Sequence, residues 1–277
     1  MIAMGEHPPE RASWKAAGLN RRSVLRWGGA VGLLTAVAAC STEPSAKPES
    51  PSTTGTAEAT PPSANSLPAP SGGASPTPTS ESAVLLCREA WGAIHPRPGG
   101  VPQFPNKMTI HHTAVVLGDN SNAPGRLRQH QHYHQDSKGW IDIAYHLGVD
   151  RNGNIYELRK PELVGDTATS YDPTGHFLVV CEGDFDVEAV SEAQLHSAAV
   201  AFAWAAQQFG IPTETLAVHR DVSHDTACPG AALYAHLTSG GLRQRGDDLI
   251  AAGRVDLVNL CGPEASAVVA EIEAGQR

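Results

Sequence analysis

The stretch Ala217-Val218-His219-Arg220-Asp221-Val222-Ser223-His224-Asp225-Thr226-Ala227-Cys228-Pro229-Gly230 anchors the reading of the whole chain. A short apolar run ends on His219, a polar loop follows, and the chain returns to Cys228 just ahead of a Pro-Gly stop. A loop of this kind places an imidazole and a thiolate on one metal ion. With one more protein ligand, the fourth position of a zinc tetrahedron stays open for water, which is the arrangement of a catalytic rather than a structural site.

A third ligand is offered about a hundred residues upstream. Lys107-Met108-Thr109-Ile110-His111-His112-Thr113-Ala114 is a β-type apolar run that finishes in two histidines. Successive side chains of a strand point to opposite faces, so only one of His111 and His112 faces such an ion easily.

Outward from these segments, helical and strand patterns interleave. Residues 122–136 read as a helix, and 144–150 as a strand closed by Arg151-Asn152-Gly153, with Ile155 to Leu158 returning. Asn-Gly between two such runs is a strong hairpin signal. Phe177 to Cys181 reads as a buried strand, and Ser191-Glu192-Ala193-Gln194 as a capping box. The helix it opens carries Leu195, Ala198, Ala199, Phe202, Ala205, Ala206 and Phe209 on one face and stops at Gly210, with Pro212 beyond. This predicts an α/β domain, and the hairpin argues against an all-parallel sheet. A short helix is expected past Cys261.

Four motifs occur in order: Ile-His-His-Thr-Ala at 110–114, Gly-Trp-Ile-Asp-Ile-Ala-Tyr-His-Leu at 139–147, Asp-Arg-Asn-Gly-Asn-Ile-Tyr-Glu at 150–157, and His-Arg-Asp…Thr-Ala-Cys-Pro-Gly at 219–230. Together they resemble the zinc N-acetylmuramoyl-L-alanine amidases, a family that includes type-2 amidases, phage-lysozyme amidases and peptidoglycan recognition proteins. Cys87-Arg88-Glu89-Ala90-Trp91-Gly92-Ala93 also resembles the opening strand of the recognition-protein branch. The resemblance implies a single domain with a central mixed β-sheet flanked by helices. It implies Zn2+ held by His111, His219 and Cys228, with Tyr145 assisting the water and Thr226 supplying a further hydroxyl near the scissile carbonyl. Some relatives use a glutamate on the strand equivalent to 176–183, and that place is Val180 here. Two departures stand out: nine positions separate His219 from Cys228 where eight is commoner, and Gly175-His176-Phe177-Leu178-Val179-Val180 replaces the usual Asn-Ser-x-Gly-Ile pattern. The implied reaction is hydrolysis of the amide between N-acetylmuramic acid and L-alanine of peptidoglycan. Two other functions are weighed against it: a non-catalytic peptidoglycan-binding module, and a zinc amide hydrolase with a different substrate.

The formal charge of the chain is −9. Residues 1–39 hold five basic and two acidic residues, so 15 basic and 27 acidic residues remain beyond them, a net −12. An acidic body offers no footing for nucleic acid or anionic lipid. Asn20-Arg21-Arg22-Ser23-Val24-Leu25-Arg26, followed by an apolar run to Ala39 that is too short to span a bilayer, reads as an export signal of twin-arginine type. Val37-Ala38-Ala39-Cys40 resembles a lipobox, which would make Cys40 a lipid anchor; Ala36-Val37-Ala38 is a competing cleavage site that would release a soluble protein. Residues 40–82 read as a disordered Ser/Thr/Pro/Ala linker, 83–262 as the amidase domain and 263–277 as a C-terminal helical tail. The expected product is an extracytoplasmic monomer, held to the outer face of the membrane only through Cys40.

His130, His132 and His134 are expected to be solvated or to stand behind the ligands, and His112 to donate a hydrogen bond at its strand end. His146 is as readily packed as functional, and His224 is a rival ligand. Trp91, Trp140 and Trp204 are assigned to the core, with Trp140 placed to rim a groove. Three further cysteines allow at most one disulfide. Cys87 with Cys261 is the pair to test first, and Cys181 is expected to be a buried thiol.

Overall fold

The computed structural model describes residues 80–277. The export signal, the lipobox Cys40 and nearly all of the expected linker lie outside the described residues.

Strand β1 (Glu81–Leu86) begins two residues inside the expected linker, because Glu81 and Ser82 already pair with Val255 and Asp256, and it leads into a single 3-10 turn at Arg88–Trp91. The segment Cys87–Ala93, which resembled an opening strand, is instead the turn that follows the strand, closed by Gly92 in the left-handed region at φ 79°. β2 (Lys107–His112) follows, then α1 (Ala123–His132), which runs on as a π turn over Tyr133–Ser137. The hairpin is β3 (Leu147–Val149) with β4 (Ile155–Glu157), paired antiparallel. Then come β5 (His176–Cys181), α2 (Glu192–Phe209), β6 (Leu216–Val218) and α3 (His219–Val222). The chain closes with α4 (Ala231–Thr238), α5 (Gly241–Ala252), β7 (Val255–Leu260) and α6 (Gly262–Glu273).

The seven strands form one sheet in the order β6-β2-β5-β3-β4-β1-β7. Every neighbouring pair is parallel except β3 with β4, so the sheet is mixed, as the hairpin signal required. β5 is buried at all six positions. Such a strand reads as a continuous apolar run because helices cover both of its faces. On one face Met108, Ile110, Phe177, Val179 and Cys181 pack against α2 and α5; on the other Val180, Leu86, Trp91 and Tyr156 pack under α1 and α6.

Several local expectations meet tertiary detail. The predicted strand 144–150 is regular only from Leu147. Ahead of it the 163–166 segment docks so closely that a Cβ on Gly165 would lie 2.6 Å from the Ala144 carbonyl oxygen. The hairpin turn needs Gly153 in the left-handed region, and Asp150 accepts the amides of Asn152 and Asn154 across it. Ser191 caps α2 by accepting from the Gln194 amide. The Gln194 side chain does not return to close the box; it donates to the carbonyls of Val149 and Glu182, joining the helix start to β3 and β5. α2 is also buried well beyond the one predicted face, at Val200, Ala201 and Ala203 as well. Cys87 and Cys261 form a disulfide between the end of β1 and the start of α6, and Cys181 is a buried thiol. Among the described residues no helix is long and apolar enough to cross a membrane.

Candidate metal centre

Two parallel strands bring the histidines together. Ile110 of β2 lies level with Val218, the last residue of β6, so His111 and the first residue of α3, His219, emerge at the same end of the sheet. Their ring centroids are 4.7 Å apart. The loop after α3 folds back through a bond from the Arg220 amide to the Cys228 carbonyl, and this delivers the sulfur to the pair. Cys228 Sγ lies 3.7 Å from His111 Nδ1 and accepts the His112 amide at 3.4 Å. One donor atom from each of His111, His219 and Cys228 falls within 4.8 Å of the others. His112 points to the opposite face, where its Nδ1 accepts the Phe185 amide rather than donating.

The donor chemistry fits a thiophilic cation. In a zinc tetrahedron with Zn–N near 2.05 Å and Zn–S near 2.3 Å, the N···S edge is about 3.6 Å, close to the observed 3.7 Å. Burial, and then the neighbouring His219, hold His111 well below the usual histidine range, so its ring is neutral. Burial likewise lowers His219 to about 4, against the opposing pull of Asp225. Burial pushes the Cys228 thiol up to about 12, opposed by the His112 amide and by Arg220. The Nε2 of His111 is buried and has no partner among the described residues. Two neutral imidazoles and a buried sulfur within reach of one another match the donor set of a bound cation.

Two of the three, His111 and His219, line a cleft of about 190 Å³. Tyr145 lines it, its ring 5.1 Å from that of His111. His134 lines it as well, 4.8 Å from Trp140, with Nδ1 accepting the Ala144 amide. Lys138 and Asp166 supply one charge of each sign to the walls. Asp166 is paired at 2.5 Å with Arg159, a buried guanidinium that also donates to the carbonyls of Ile143, Asp142 and Val164. Thr226 does not line the cleft; its Oγ1 accepts the Cys228 amide at 3.1 Å. His224 is exposed on the loop and stands apart from the cluster.

A family model described as N-acetylmuramoyl-L-alanine amidase matches residues 101–231. Peptidoglycan-recognition protein LB of Drosophila melanogaster is 32% identical over 162 residues, covering 57% of this chain and 69% of that protein. The chain belongs to the family of N-acetylmuramoyl-L-alanine amidases and peptidoglycan-recognition proteins. The N-acetylmuramoyl-L-alanine amidase of Homo sapiens is 32% identical over 158 residues, which are 51% of this chain but 27% of that protein. The crystal structure of peptidoglycan recognition protein LE, in complex with tracheal cytotoxin, a monomeric diaminopimelic acid-type peptidoglycan, aligns with TM-score 0.52 and 29% identity, covering 56% of this chain and 93% of that one.

Within this amidase-family domain, the sequence reading missed two things. His134 is buried against Trp140 and Tyr145 in the cleft wall rather than solvated, because the π turn at the end of α1 rotates it inward. The irregular segment 166–171 contributes Asp166, Thr167 and Thr169 to the cleft, with Thr169 bonded to His219. Nothing in its periodicity signals this, although its run of hydroxyl side chains is a clue. Val180 lies level with His111 and packs in the apolar cluster under α1, so no acid stands at that place. The next side chain on that face, Glu182, is buried, with His130 Nδ1 at 3.6 Å.

Proposed function

We propose that the protein is a zinc-dependent N-acetylmuramoyl-L-alanine amidase, which hydrolyses the amide between N-acetylmuramic acid and L-alanine and releases stem peptides from peptidoglycan. The observation that carries this reading is the convergence of His111, His219 and Cys228 at a cleft that also holds Tyr145. Those three residues would hold the ion, whose chemistry there is polarisation of the scissile carbonyl and acidification of the attacking water.

The remaining work falls to the chain itself. Burial, and then the Cys228 sulfur, raise Tyr145 above the ordinary phenol range. Its hydroxyl therefore keeps its proton throughout the physiological range and acts as a hydrogen-bond donor to charge developing on the carbonyl oxygen. His134 is neutral, lowered to about 3 mainly by burial, and its Nδ1 is committed to the Ala144 amide. Its proton accordingly sits on Nε2 as a second donor in the cleft. Trp140 gives an apolar wall, while Lys138 and Asp166 offer charges to the polar groups of a muropeptide. Thr226 serves by holding the turn that presents Cys228. The solved relative bound to tracheal cytotoxin supports a peptidoglycan substrate. The twin-arginine-like segment and the lipobox support export and anchoring at Cys40.

Mass analysis of purified peptidoglycan incubated with the protein, with chelator and with zinc restored, tests the proposal. Stem peptides beginning at L-alanine should appear, vanish on chelation and return with zinc. A protein that held zinc and bound peptidoglycan but released nothing would be a recognition module instead.

A further inference from the structure

His219 is gripped from its far side by a segment that has no regular structure. Its Nε2 lies 2.7 Å from Thr169 Oγ1 and 3.4 Å from Thr167 Oγ1. The two hydroxyls are 2.8 Å apart, and the Thr169 amide donates to Thr167 Oγ1 at 3.1 Å. The next two residues hold the same loop: Ser170 Oγ lies 3.3 Å from Ser223 Oγ and 3.4 Å from Asp225 Oδ1, and the Tyr171 ring stands edge-on to His219 at 5.1 Å. His111, by contrast, has one nitrogen beside Cys228 and the other without a partner among the described residues. Its orientation is fixed by strand β2 instead.

We infer that Thr169, backed by Thr167, is the positioning residue for His219. It would fix that ring with Nδ1 turned toward the metal and the proton on Nε2. The inference rests on the reading of His111, His219 and Cys228 as metal ligands.

Donor counting sets the direction of every bond. A neutral imidazole carries one proton, and a nitrogen that ligates a metal must present its lone pair. With Nδ1 ligating, Nε2–H donates to Thr169 Oγ1. The Thr169 hydroxyl then donates to Thr167 Oγ1, which already receives the Thr169 amide. The Thr167 proton is left over, and Thr167 lines the cleft. The same relay that orients the ligand thus leaves one hydroxyl proton unused on a residue of the cleft wall. The reverse direction fails: a Thr169 hydroxyl donating to Nε2 would place the imidazole proton on Nδ1, the nitrogen needed for the metal. Partners of this kind fix the tautomer and the ring angle of a ligand, and their removal typically weakens metal binding by about 10–100-fold.

The test uses the full chain and zinc itself. Zinc affinity, read by competition with a chelating dye, should fall about 10–100-fold in Thr169→Val and be restored in Thr169→Ser, which keeps the hydroxyl. The melting temperature of the zinc-free protein should stay the same in all three, separating lost metal from lost fold. Independently of any variant, nitrogen-15 spectra of the zinc-loaded wild type should show His219 protonated on Nε2. Equal zinc affinity in wild type and Thr169→Val, or a His219 proton on Nδ1, would overturn the clamp and leave the metal site standing. A wild type with no affinity for zinc would overturn both.

Discussion

Lowering the pH of the zinc-free protein from about 7 to about 4.5 should destabilise it through two histidines that neither line the cleft nor belong to the ligand set. His146 is fully buried; its Nδ1 accepts the Leu178 amide at 2.9 Å and its Nε2 donates to the Leu163 carbonyl at 2.9 Å. His176 is buried beside Thr109 Oγ1 at 2.7 Å. Burial lowers each from 6.5 to about 4. The unfolded chain therefore binds more protons than the native one between those values. The stabilisation is complete above about 6.5 and is lost as the pH falls toward 4. At pH 4.5 the unfolded imidazole is almost wholly protonated and the native one about a quarter so, a difference of about 2.5 kcal/mol per histidine. Two of them, about 5 kcal/mol, correspond to a fall of roughly 10–20 °C in melting temperature for a domain of this size, a floor to which the buried His134, His111 and His219 add in the zinc-free protein. Glu188 does not confuse the reading. Burial works to raise it, but the amides of Asp184, Leu117 and Gly118 together with Arg151 outweigh that and hold it low. Its contribution is therefore lost only below the usual carboxylate range. Differential scanning calorimetry in chelator across this window is the assay. A melting temperature that stays level or rises between pH 7 and 4.5 would refute the reasoning, as would His146 and His176 resonances that titrate near 6.5.

Two further outcomes follow from the geometry. Tyr145→Phe should lower the rate of stem-peptide release by about 10²–10³ while zinc content stays normal, and the loss should be the same from pH 6 to 9 because the phenol does not ionise there; unchanged activity at normal zinc content would remove the donor role. Replacing Cys87 and Cys261 by alanine opens a loop whose ends are 174 positions apart. Loop-entropy scaling sets the loss at up to about 5 kcal/mol, measured as the shift in urea midpoint at constant slope. A shift near zero would mean that Trp91, Val269 and Ile272 already hold α6 in place without the bond.

Much of the site was legible because its signals are local. His219 and Cys228 share one short loop, His111 ends a strand-like run, and the Asn152-Gly153 hairpin and the Ser191 cap are turn chemistry that neighbours in sequence decide. The illegible parts depend on contacts between distant segments. Gln194 could not be known to leave its own helix cap, since its acceptors are the carbonyls of Val149 and Glu182. His134 sits on a helix with no strongly apolar face to show which way it turns, and the π turn settles that. Thr169 lies in a stretch without periodicity, so its bond to His219, 50 positions away, leaves no mark on the pattern.

By itself the sequence determined the donor types, two imidazoles and a thiol, and its ordered motifs determined the family. It also determined that His111 and His112 cannot share a site, because side chains alternate along a strand. Which of them faces the ligands was decided only by the sheet. β2 lies between β5 and β6, His111 falls level with Val180 and beside His219, and His112 is turned to the α2 side against Phe185. Alternation is a property of one strand, whereas the identity of each face is a property of the layers packed against it.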